Sequence, residues 1–201
     1  MLKMSIGTDL TVELTGKRVK LLPMTPAHAD ELFAAVYDAD AGLWTYMPLR
    51  PATLADMDHL VQQALEARQQ GQEYPFVIFD LQSQRLVGST RFLDISAANR
   101  SLEIGWTWLT PDVWRTGINT ECKYLLLRYC FETLDLLRVQ LKTDSRNLRS
   151  QQAIERIGGV KEGVLRHHRI MPDGYLRDSV YYSILAEEWP AVKKQLETWL
   201  R

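Results

Sequence analysis

Glu103-Ile104-Gly105-Trp106-Thr107-Trp108-Leu109, closely followed by Trp114-Arg115-Thr116-Gly117-Ile118-Asn119-Thr120-Glu121, carries the chain's clearest signal. The first segment has the composition of a strand. The second reads as a loop with one glycine that opens a long apolar helix. This order gathers backbone N–H groups at a helix N-terminus, where a phosphate or diphosphate can be held without many basic side chains. A chain wrapping an anion needs a residue with φ > 0 or with no Cβ in the way, which Gly117 supplies. Gly117 suits a plain strand-to-helix turn as well.

Outward from this point the pattern is mixed. The helix after Gly117 places Cys122, Leu125, Leu126, Tyr129 and Cys130 on one stripe, widened by Leu127, Phe131 and Leu134, and is expected to be largely buried. Its two cysteines are about 12 Å apart along the axis, too far for a disulfide, and read as core residues. Alternation puts Leu102, Ile104, Trp106 and Trp108 on one face of the preceding strand and Glu103, Gly105, Thr107 and Leu109 on the other. Upstream, Leu10 to Leu22 reads as a strand pair or one strand broken at Gly16. Two helices follow, one capped by Thr25 with Pro26, the other starting after Thr53. The aromatic loop Trp44-Thr45-Tyr46-Met47-Pro48 lies between them, and two strands, 74–79 and 85–93, come next.

Downstream come a strand over 137–143, a helix with Asn147 as N-cap and Gly158 as its stop, and a hairpin turning at Met171-Pro172-Asp173-Gly174. A last helix begins near Glu187 and Pro190. Hairpin runs with interspersed helices predict an α+β fold with a mixed, mostly antiparallel sheet. Residues 1–9 read as a flexible arm and 10–201 as one domain.

The bulk numbers narrow the function. A formal net charge of −1 over 201 residues gives no global field toward nucleic acid or an anionic membrane. No apolar run approaches the roughly 20 residues of a membrane span, and no secretory leader is visible, so a cytoplasmic location is expected. Two cysteines without nearby histidines do not suggest a metal site.

Taken in order, Trp114-Arg115-Thr116-Gly117-Ile118-Asn119, Asn147-Leu148-Arg149-Ser150 and Glu162-Gly163-Val164-Leu165-Arg166 resemble three motifs of the GNAT superfamily of acetyl-CoA-dependent N-acetyltransferases, in its RimJ/RimL-type branch that acetylates ribosomal-protein N-termini. The first is the diphosphate loop Trp114-Arg115-Thr116-Gly117-Ile118-Asn119, followed by Thr120-Glu121. Its central glycine matches, while Trp114 and Asn119 replace the usual polar and small residues. The second is Asn147-Leu148-Arg149-Ser150 leading through Ile154 and Ile157 to Gly158. The third is Glu162-Gly163-Val164-Leu165-Arg166 before the Asp173-Gly174 turn. Together they span about Leu10 to Ile184. The resemblance implies one GNAT domain with a seven-stranded sheet flanked by helices and an extra C-terminal helix.

It also implies roles. Trp114 to Thr120, including Arg115, Thr116, Ile118 and Asn119, would surround the diphosphate. Trp108 and Leu109 would offer backbone groups to pantetheine and to the developing oxyanion. Asn147 would touch the pantetheine arm, and the Ser150 hydroxyl would meet the departing thiolate; a local bond at the helix start is the alternative for Ser150. An amine must be neutral to attack, so a base is needed. Glu103 and His168 are the candidates, each equally readable as structural, and the branch's usual base position falls on Arg169. Trp44, Tyr46 and Asp178 would contact the acceptor, with core packing the other reading of the aromatic loop. The expected reaction is direct acetyl transfer from acetyl-CoA to a primary amine, on a peptide N-terminus or a small molecule, with no metal. A catalytically silent CoA-binding sensor is the rival, distinguished by binding without turnover. A homodimer is compatible with the resemblance.

Overall fold

The computed structural model describes residues 10–38 and 41–201. The arm expected over residues 1–9 lies outside the described residues. Among the described residues, eight strands form one sheet: β1 (Leu14–Thr15), β2 (Val19–Pro23), β3 (Tyr74–Asp80), β4 (Arg85–Ser96), β5 (Ser101–Leu109), β6 (Arg138–Asp144), β7 (Val160–Ile170) and β8 (Leu176–Leu185). Their order is β1-β2-β3-β4-β5-β6-β8-β7, and among the described residues only β5 and β6 pair in parallel. The helices are α1 (Ala29–Val36), α2 (Leu54–Gln69), α3 (Ile118–Arg128), α4 (Leu148–Arg156) and α5 (Trp189–Trp199). The sheet thus has eight strands rather than seven. The added strand is β1, which folds back at Gly16, whose N–H bonds the Val19 carbonyl, so that Leu14 pairs with Leu21.

Apolar side chains bury on both sheet faces. One core joins Leu102, Ile104 and Leu109 of β5 to Ile118, Cys122, Leu125 and Leu126 of α3 and to Val192 and Leu196 of α5. The other packs Leu32 and Val36 of α1 and Met57, Val61 and Leu65 of α2 against Val77 and Leu86. Trp108 belongs to this second core, not to the face of Leu102 and Ile104. The reason is a bulge. Arg91 pairs with Gly105 but Ser89 pairs with Trp108, so β5 carries one extra residue, and Trp106 takes φ +52° there. With a side-chain period of two, one inserted residue swaps the faces of everything after it. The simple alternation expected from sequence holds only up to the bulge.

The start of α3 is tied down by Glu121. Its carboxylate accepts the N–H groups of Lys17 (2.6 Å), Arg18 (3.0 Å) and Val19 (2.9 Å). Gly16 makes room for this approach, since a Cβ there would lie 2.5 Å from Glu121 Oε1. Ile118, fully buried, anchors the same turn with about 2 kcal/mol of apolar burial. After α3 the chain makes one π-helical turn, Tyr129–Thr133, which closes the long helix expected from the apolar stripe.

Candidate active site

The parallel pairing of β5 with β6 stops after three residue pairs, the last being Glu103 with Gln140. Beyond it the strands diverge and leave a V through the sheet. A cavity of about 730 Å³ fills this V, reaching from the N-terminus of α3 past α4 to the aromatic loop. That volume is within the usual range of small-ligand sites.

The α3 end turns backbone N–H groups toward the cavity, the arrangement that favours an anion. Gly117 sits at φ +90° as the N-terminal cap residue, and a Cβ there would meet nothing within 4 Å. Glycine is therefore needed for its backbone conformation and not for space. The first helical bond back to this loop comes from Glu121 N–H to the Gly117 carbonyl. The N–H groups of Ile118, Asn119 and Thr120 thus have no carbonyl four residues back, as at every helix start. Trp114, Arg115, Gly117, Asn119 and Thr120 line the cavity. Thr116 and Ile118 do not: the Thr116 hydroxyl donates to the Val113 carbonyl and Ile118 points into the core. The Thr120 hydroxyl accepts from Arg156 at 2.9 Å.

The indole of Trp114 does not fill the V. Its Nε1 donates to the Leu109 carbonyl at 2.8 Å, and the Arg149 guanidinium stacks 3.9 Å over the ring. The indole thus forms part of the wall. Thr110 donates its N–H to Val87 on β4, so strand alternation turns the Leu109 N–H toward the cleft. Trp108 can contribute only backbone, because its side chain is buried against Trp44 with ring centroids 5.4 Å apart.

On the opposite wall, Asn147 caps α4 as the sequence predicts, its Oδ1 accepting the Ser150 N–H at 3.0 Å. The Ser150 side chain lines the cavity, and its hydroxyl has no hydrogen bond within the protein among the described residues. The local bond that was its alternative reading is absent. Cys122 and Cys130 are both fully buried in the core, and burial pushes the Cys122 thiol up to about 11 and raises that of Cys130. Neither is placed or charged to act as a nucleophile.

Glu103 stands at the vertex of the V, 2% exposed. Its Oε2 accepts from Gln140 and pairs with Lys142, each at 2.8 Å. Burial nevertheless raises its carboxyl above the ordinary range, opposed by Lys142 and Gln140. His168 is elsewhere. It sits outside the cavity wall, with Nδ1 3.0 Å from the Ser179 hydroxyl and Nε2 3.2 Å from Tyr181. Burial, then Lys142, Arg169 and Arg177, hold its proton affinity below the usual histidine value.

Two expected acceptor contacts also move. Trp44 is 6% exposed and part of the core under the loop, whereas Tyr46 lines the cavity. Asp178 faces away, its Oδ1 accepting the His167 N–H at 2.7 Å across the β7–β8 hairpin. Arg177, one residue earlier and so on the other strand face, lines the cavity with Arg169. Arg177 and Lys123 carry no role in the sequence reading, and Arg169 figures there only as the occupant of the usual base position. Lys123 lies on α3 with its Nζ 2.6 Å from Thr107 Oγ1, and burial lowers its proton affinity. A lysine inside the apolar stripe of the helix was the signal for it. The cavity wall carries seven cations (Arg115, Lys123, Lys142, Arg149, Arg156, Arg169, Arg177) and one carboxylate, Glu103. Among the described residues, no cluster of His, Cys, Asp and Glu is arranged to hold a metal ion, and no helix is long and apolar enough to cross a membrane.

A sheet split beside a helix N-terminus, with a free hydroxyl on one wall and a buried carboxylate at the vertex, has a geometry compatible with acyl transfer from a phosphate-bearing carrier. The acetyltransferase (GNAT) domain model matches residues 18–160, and the chain belongs to this family of enzymes, which use acetyl-CoA. A GCN5-related N-acetyltransferase from Brucella melitensis superposes with a TM-score of 0.91 at 29% identity, covering 100% of this chain and 91% of that one. The candidate ribosomal N-acetyltransferase YdaF of Bacillus subtilis is 35% identical over 108 residues, 54% of this chain and 58% of that protein. The alignment thus spans under two thirds of YdaF's length. The ribosomal-protein-serine acetyltransferase of Escherichia coli is 28% identical over 130 residues, 65% of this chain and 71% of that one.

Proposed function

We propose that this acetyltransferase moves the acetyl group of acetyl-CoA directly to a primary amine, with a peptide N-terminus as the acceptor. The observation that carries the reading is the divergence of β5 and β6 after Glu103 and Gln140. It opens one continuous cavity between the α3 N-terminus and Tyr46. Donor and acceptor can meet there from opposite faces of the sheet, and orientation replaces a bimolecular encounter.

In this reading the N–H groups around Gly117, with Arg115 beside them, hold the diphosphate. The Leu109 N–H, turned toward the cleft, bonds the pantetheine arm or the thioester oxygen. The amine nitrogen attacks the thioester carbon, the C–S bond breaks, and Ser150 Oγ gives a hydrogen bond to the departing thiolate. Glu103, with its raised proton affinity, takes the proton lost by the amine. With both thiols buried, neither cysteine is placed to form an acyl-enzyme. The peptide acceptor draws support from the names of YdaF and of the E. coli relative, and from an acceptor side lined by a loop, Tyr46-Met47-Pro48.

Turnover of acetyl-CoA, read as free thiol against a panel of peptides and small amines, tests the reading. Ser150→Ala should lower kcat about tenfold or more and leave acetyl-CoA affinity within about twofold. Acetyl-CoA binding without transfer to any amine would overturn the proposal, and equal kcat for variant and parent would remove Ser150 from it.

A further inference from the structure

The acceptor half of the cavity holds a guanidinium that has no ion-pair partner among the described residues. Arg177 is 8% exposed. Among the described residues, its single hydrogen bond runs from Nη1 to the Tyr46 carbonyl at 3.5 Å, and its buried Nε has no partner. Arg169 lies directly across the β7–β8 hairpin, in register with Arg177. Among the described residues, no carboxylate lies within ion-pair distance of either arginine. Asp144 is already bonded by Arg146, and Glu103 by Lys142. A buried guanidinium left in this state costs free energy that a ligand oxyanion would recover. Arginine also offers the planar fork that grips a carboxylate through two parallel bonds.

Position tells which part of the reaction supplies that oxyanion. Val180 and Tyr182 of β8 belong to the core beneath α3 and α5. Arg177 alternates with them and so faces the other side of the sheet, toward Tyr46. The α3 N-terminus, where the phosphates of the donor are placed, is on the opposite face. The anion at Arg177 is therefore not the diphosphate.

We infer that the acceptor is an acidic peptide, with a carboxylate side chain close to its N-terminal amine, seated between Arg177 and Arg169. The inference rests on the transfer reading above and adds the charge of its substrate. Arg169, which faces the same side and has no carboxylate within ion-pair distance among the described residues, raises the local potential that draws such a peptide in.

The test compares two peptides that differ only in charge, one beginning Ser-Glu-Asp and the other Ser-Gln-Asn, with acetyl-CoA and free-thiol detection. The wild-type protein should show a kcat/KM about tenfold or more higher for the acidic peptide, a preference that shrinks with added salt. Arg177→Gln and, independently, Arg169→Gln should narrow the ratio toward unity. Arg177→Lys should restore only part of it, because an ammonium lacks the fork. The wild-type ratio alone is decisive if a variant fails to fold. Equal rates for the two peptides would overturn the inference while leaving the transfer reading intact. Turnover of neither peptide, nor of any other amine, would overturn both. A third arm replaces acetyl-CoA with succinyl-CoA. If the acidic-donor reaction were faster and depended on Arg177, the carboxylate would belong to the acyl chain, and the acceptor assignment would fall.

Discussion

Glu121 and Gly16 should be strongly coupled although 105 positions separate them in the chain. Replacing Glu121 with alanine removes the acceptor for three N–H groups on the β1–β2 turn. The Val19 N–H is in a fully buried setting and the other two are half-buried. At about 1–3 kcal/mol for a buried unsatisfied donor and less for the others, the loss is about 3–4 kcal/mol. For a chain of this size that lowers Tm by about 10 °C. Gly16→Ala places a Cβ 2.5 Å from Oε1 and 2.8 Å from Cδ of the same carboxylate. The three bonds hold that carboxylate in place, so relief requires weakening them, at a cost of about 1–3 kcal/mol. With Glu121 already alanine the clash has no second atom, and Gly16→Ala should be neutral or slightly stabilising. The double-mutant cycle, read by urea or thermal unfolding, should thus give a coupling of at least about 1 kcal/mol. Additive effects within about 0.5 kcal/mol would refute the reasoning, as would a Glu121→Ala variant that melts within 2 °C of the parent, roughly the precision of such comparisons.

Gly117→Ala forces a side chain to φ +90°, which costs about 1–2 kcal/mol or moves the loop; KM for acetyl-CoA should rise about tenfold with a smaller change in kcat, measured by steady-state kinetics. Glu103→Gln should cut kcat/KM about 10²-fold or more and remove the acid limb of the pH–rate profile; that limb should lie above the ordinary carboxylate range, since burial raises this group. The same shift has a sign for stability. A carboxyl that holds its proton more tightly when folded makes the folded state bind more protons. Its contribution is therefore largest below the unfolded value and is lost as pH rises through the raised folded one. Unfolding titrations of Glu103→Gln and parent across that window should converge toward acid and separate toward neutral pH.

Local chemistry made several features readable in advance. Asn147 caps α4, Gly158 at φ +96° ends it, Gly117 at φ +90° opens α3, and Gly174 at φ +80° turns the last hairpin. Each depends on groups within four residues, so residue type alone specifies the geometry. The buried face of α3 followed in the same way from its 3.6-residue period. The positions proposed to surround the diphosphate came with the family pattern, though Thr116 and Ile118 do not line the cavity.

Tertiary structure alone decided which side chains meet. One residue too many in β5, at Trp106, sent Trp108 to the other core and gave Trp44 a packing role beneath the loop rather than a place on the cavity wall. The two-residue strand β1 exists because Glu121 holds the turn that follows it. Asp178 and Arg177 are neighbours in sequence, yet hairpin register turns one outward and the other into the cleft. His168 was removed from the site by the same hairpin, whose hydroxyls take both its nitrogens. Strand register depends on pairing between segments tens of residues apart, and a shift by one residue reverses every face beyond it. A linear sequence states the residues and their local preferences; the offset between strands is set only when the whole sheet packs.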